Sequence, residues 1–82
     1  MNYPARKEEI RSWIKCYKDS PTESNKASLF SLKASANTYI LDLKNIKKGE
    51  VADLYFTQIP KFVKNYETLV HNINKTLDVW KI

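Results

Sequence analysis

The sequence predicts an all-α fold, a small three-helix bundle. Three observations carry that expectation. Ile10, Trp13, Ile14 and Tyr17 fall at i, i+3, i+4 and i+7, the full template of an amphipathic helix. A second apolar series runs from Tyr55 to Trp80 in steps of three and four, close to a heptad seam. The chain of 82 residues holds one glycine, too few for a hairpin-rich sheet.

Each element follows in order. Helix one is expected over about residues 4 to 18, because Pro4 suits a first turn and Glu8 and Glu9 favour the positive end of the helix dipole. The stretch SPTE at residues 20 to 23 reads as a capping box: Ser20 as cap, Pro21 at the first position, Glu23 three residues on. Helix two then runs without a breaker to KNIKKG, where Lys44, Lys47 and Lys48 suit a C-terminus and Gly49 offers a left-handed cap. Its apolar stripe is Leu29, Leu32, Ala36, Ile40 and Leu43. In the last helix, Tyr55, Ile59, Phe62, Tyr66, Leu69, Ile73, Leu77 and Trp80 form the seam. Pro60 interrupts it, so the helix is expected to kink there or to split, which would make four helical segments. Residues 1 to 82 read as one domain without repeats or linkers.

Charge is uneven. Residues 1 to 49 hold ten Lys/Arg against five Asp/Glu, while residues 50 to 82 hold four of each, so the net +5 lies in the first two helices. Lys7, Arg11, Lys15 and Lys18 share one side of helix one, next to Trp13 and Tyr17. Lys26, Lys33, Lys44 and Lys48 fall in a narrow arc of helix two. These ten residues are the candidate partner-binding set. The plain reading of such faces is solvation; the functional one is contact with an anionic partner. Only two arginines are present, fewer than a nucleic-acid binder of this size usually carries.

Catalytic constellations are missing. One cysteine and one histidine cannot build a closed zinc site, and no glycine-rich phosphate loop exists. Cys16 is expected to be a partly buried small hydrophobe, and His71 a member of an exposed ladder with Glu67 and Lys75. No enzyme, cofactor or metal is expected. No apolar run approaches a membrane span, and MNYPARKEE has no apolar signal core, so a cytoplasmic location is expected.

Ten aromatic residues, five of them tyrosines, exceed what so small a bundle can bury with its hydroxyls satisfied. Tyr3, Tyr39 and Tyr55 are candidates for a surface patch, and Trp80 for docking on helix one or on another subunit. The function expected is that of a non-enzymatic regulator acting by protein–protein binding: an inhibitor, adaptor, immunity-like or phage-encoded factor. The Lys/Asn/Ile/Tyr-rich composition suits a bacterial or phage genome of low GC content. The alternatives are nucleic-acid binding through the basic faces and peripheral binding to an anionic membrane. A homodimer formed along the last helix and a monomer stand level as expectations.

Overall fold

The computed structural model describes residues 6–80. Among them are three helices and no strand: α1 (Lys7–Asp19), α2 (Glu23–Asn45) and α3 (Asp53–Val79). The all-α three-helix bundle is therefore as expected, while the boundaries differ in instructive ways. α1 starts three residues later than its pattern suggested, with Arg6 extended at its N-cap, and Pro4 lies outside the described residues. No side chain caps it, and Glu8 and Glu9 in the first turn face the positive dipole instead.

The Ser20–Glu23 capping box does not form. Ser20 still belongs to the end of α1, where its N–H donates to the Cys16 carbonyl at 2.9 Å. Thr22 takes the capping role, its hydroxyl oxygen accepting from the Asn25 N–H at 3.2 Å. The Asn25 amide reaches back to the Ser20 carbonyl at 2.8 Å, so the tight link between helices is hydrogen-bonded from both sides.

α2 ends at Asn45, short of the lysine run. Ile46 leaves the helix in extended backbone and packs on the core, and that burial outcompetes further helical turns. Gly49 does adopt positive φ, +99°, but in a separate turn rather than as the helix cap. There the Glu50 N–H donates to the Lys47 carbonyl at 3.0 Å, and the Glu50 carboxylate accepts from the Lys47 N–H at 2.9 Å.

α3 is not split. It runs unbroken through Pro60 for 27 residues, so there are three helical elements and not four. Pro60 lies on the exposed side, where its ring meets no core and water can serve the Phe56 carbonyl that it leaves without a donor. The seam of α2 and α3 supplies most of the core: Leu29, Ala36, Leu43, Leu69 and Ile73 are all at most 3% exposed. Val63 and Thr76 join the buried set without having been singled out; Thr76 hides its hydroxyl by donating to the Asn72 carbonyl at 2.7 Å.

The chain runs up, down, up. The short link between α1 and α2 keeps them antiparallel, and the Tyr17 hydroxyl donates to the Trp80 carbonyl, so α1 lies parallel to α3 at its C-terminal end. At 1.5 Å per residue, α1 is about 20 Å long and α3 about 40 Å. The body is correspondingly elongated, 46 × 19 × 18 Å. One end is thus a three-helix bundle, and the other a two-helix hairpin of α2 and α3 closed by residues 46–52.

Candidate functional site

Two surfaces stand out once the helices are placed. The first belongs to the two-helix end. Tyr55, Phe62, Tyr66, Leu69, Ile73, Thr76 and Trp80 follow one another by seven, four and three along one strip of α3. α1 lies over its later part: Glu8 stands near Tyr66 and Tyr17 binds the Trp80 carbonyl. There Tyr66, Leu69, Ile73 and Thr76 are buried. Upstream, before α1 begins, Tyr55 and Phe62 are only half-buried.

Tyr39 of α2 closes this patch from the other helix. Its ring meets Tyr66 edge to face, centroids 5.0 Å apart at 71°, and Tyr55 packs on Phe62 at 5.9 Å. Burial pushes the Tyr39 hydroxyl up to about 12, helped by its hydrogen bond to Tyr55 and by the neighbouring charges that Tyr55 and Tyr66 would carry if ionised. Tyr66 is raised too, by burial first and then by the Glu8 carboxylate. Of the tyrosines expected at the surface, Tyr39 and Tyr55 come together in one patch; Tyr3 lies outside the described residues.

The second surface is a cationic groove between α1 and α3 at the three-helix end. It encloses about 410 Å³. Arg11 and Lys18 line it from α1 and Lys75 from α3, with Asn72 beside them and Trp80 at the end. Lys7 and Lys15 continue the basic stripe of α1 on either side of Arg11.

The remaining candidates divide. Tyr17 is fully buried, its ring in the core and its hydroxyl on the Trp80 carbonyl, so it serves the fold and offers no surface to a partner. Trp13 is half-buried against the same core. Lys26 and Lys33 are half-buried along α2, Lys33 with its ammonium 5.9 Å from the Phe30 ring centre. Lys44 sits 4.0 Å from Glu67 across to α3, both side chains more than half exposed, a pair of small energetic weight. Lys48 falls in the turn after α2, so the expected arc of four lysines on one helix is reduced to three. The lysine edge of α2 opens onto a separate hollow lined by Lys44, Glu67 and His71, and α3 stands between it and the basic stripe of α1. The two stripes are therefore not one continuous face.

Cys16 is exposed, not partly buried: it lies on the outer side of α1 beside Ser12 and Trp13. His71 is exposed as expected, but its neighbour Glu67 faces Lys44. Among the described residues no group of three metal-ligating side chains converges, and no helix is long and apolar enough to cross a membrane. Comparison of the chain with protein-family models, with curated proteins and with solved structures finds no match.

Proposed function

We propose that this chain is a non-enzymatic regulatory protein that acts by binding another protein, and that the contact is made at the two-helix end. The observation that carries this reading is the unfinished groove: the strip of α3 that α1 covers from Tyr66 onward continues to Phe62 and Tyr55, and among the described residues no third helix lies over it. Tyr39, Tyr55 and Phe62 offer broad rings with little rotamer freedom to lose, and two of them carry hydroxyls for specific hydrogen bonds. A partner helix laid in line with α1 would complete the bundle, in the helix-in-groove mode. Such binding would act as inhibition, adaptor function or immunity according to what the partner does.

The test uses the tagged full chain against nuclease-treated lysate of the source organism, at about 0.15 and 0.5 M salt. A protein captured in fixed ratio, held at both salt levels, lost with Tyr55→Ala/Phe62→Ala and kept with K7Q/R11Q/K15Q/K18Q supports the reading, since apolar contacts are insensitive to screening. Capture that vanishes with salt or with the lysine variant sinks it. Light scattering on the chain alone, with and without Tyr55→Ala/Phe62→Ala, tells whether a second copy fills the groove.

A further inference from the structure

From the α1–α3 groove we infer a second activity, independent of any partner at the other end: binding of single-stranded nucleic acid. Three cations from two helices converge on one recess, and among the described residues no acidic side chain lines it. Arg11 and Lys18 stand two turns apart, about 10 Å along the axis, and the stripe from Lys7 to Lys18 extends over about 16 Å. That spacing does not suit one small anion held by all the charges at once. It suits a chain of phosphates that meets one cation after another.

Trp80 supplies what an acidic protein segment would not use. Its side chain lines the groove and is 43% exposed, yet its backbone carbonyl is held by the Tyr17 hydroxyl, so the residue is anchored while its indole stays available. A positive track beside an anchored aromatic ring is the arrangement by which single strands are bound without base readout: phosphates pair with the cations and a base stacks on the ring. The Asn72 amide offers a donor within the same recess. Lysines suffice for this, because point charges track a backbone whereas base-edge recognition in a duplex favours arginine. The scarcity of arginine thus weighs against duplex reading and leaves single strands untouched.

Fluorescence anisotropy of a labelled 12-nucleotide oligothymidylate, titrated with the full chain between 50 and 200 mM salt, tests the proposal. With three to five phosphates neutralised at about 0.7 counterion each, affinity should fall roughly twentyfold to a hundredfold across that range. R11Q/K18Q/K75Q should abolish binding, while K61Q/K64Q, which removes two exposed charges elsewhere on α3, should change it less than about twofold. Trp80→Ala should weaken binding by about tenfold and remove the quenching of tryptophan emission, and Trp80→Phe should recover most of the affinity. The Trp80 carbonyl and its bond from Tyr17 survive both changes, and circular dichroism reports whether helix content does. Any one of three results overturns the proposal: wild-type binding by the triple variant, equal loss with K61Q/K64Q, or displacement of the oligonucleotide by polyglutamate at equal charge. The last would make the groove a site for acidic protein.

Discussion

At one end of this molecule α1 seals the seam between α2 and α3; at the other no described residue covers the same seam. Where α1 lies, Ile10, Tyr17, Leu29 and Ile73 are fully buried. Where it is absent, Ile59 and Val63 keep 7 and 8% exposure, and Tyr39, Tyr55 and Phe62 are half-buried. Both ends are written with the same helical periodicity, so the sequence pattern does not separate them. The difference comes from length alone: 13 residues of α1 cannot cover 27 of α3. The sealed end carries the charged groove and the open end the aromatic patch.

The largest expected effect tests that contrast directly. Ile73→Ala or Leu29→Ala at the sealed end should cost about 2 to 5 kcal/mol in urea unfolding, whereas Phe62→Ala at the open end should cost about half as much or less, because its ring is already partly in water. Equal losses at the two ends would break the comparison. Pro60→Ala comes next. It returns an N–H to the Phe56 carbonyl in an otherwise regular helix, and should raise stability by about 2 kcal/mol after the lost rigidity of the unfolded chain is counted. A neutral result would mean that the open end tolerates the missing bond without strain.

Tyr17→Phe should cost about 1 kcal/mol and should speed amide exchange in the last turn of α3, while leaving Tyr39 and its neighbours unchanged. Loss of protection at the open end as well would show that the two ends unfold together. The last prediction concerns pH. The folded Tyr39 holds its proton up to about 12 while the unfolded side chain releases it near 10. Between those values the unfolded state binds fewer protons, so stability is intact below pH 10 and falls as pH rises toward 12. Thermal melts from pH 9 to 12 on wild type and Tyr39→Phe check this; an identical slope in the variant would clear Tyr39 of the effect.

Much of the fold was legible because burial follows period. Ile10 and Tyr17 in α1, the Leu29–Leu43 stripe and the Tyr66–Ile73 seam all face inward as their spacing requires. Boundaries were less so. Ser20 looked like the cap, but α1 had not yet ended there, and capping depends on where the previous helix lets go. Pro60 looked like a kink or a break because a local rule forbids its bond, and the packing of a 27-residue helix kept the element unbroken despite one lost hydrogen bond. Thr76 was missed because its hydroxyl marks it as polar, while an intrahelical bond lets it enter the core. For the candidate site, the basic stripe of α1 was visible in the sequence. Lys75 was not, since nothing in a helical wheel of α1 says which residue of α3 will stand opposite. Tyr17 was counted both on the apolar face and at the edge of a binding face, and only the packed structure assigns its whole side chain to the core.

By itself the sequence determined the class and the faces: three helices, the apolar stripe of each, and the side of α1 that carries charge. These follow from periodicity, which is local and repeats every few residues. Only the tertiary structure decided how far α1 reaches along α3, which side chains the two grooves gather and which aromatics remain uncovered. Those depend on how helices of unequal length are set against one another, a relation between residues such as Tyr17 and Trp80 that are 63 positions apart and that no local pattern encodes.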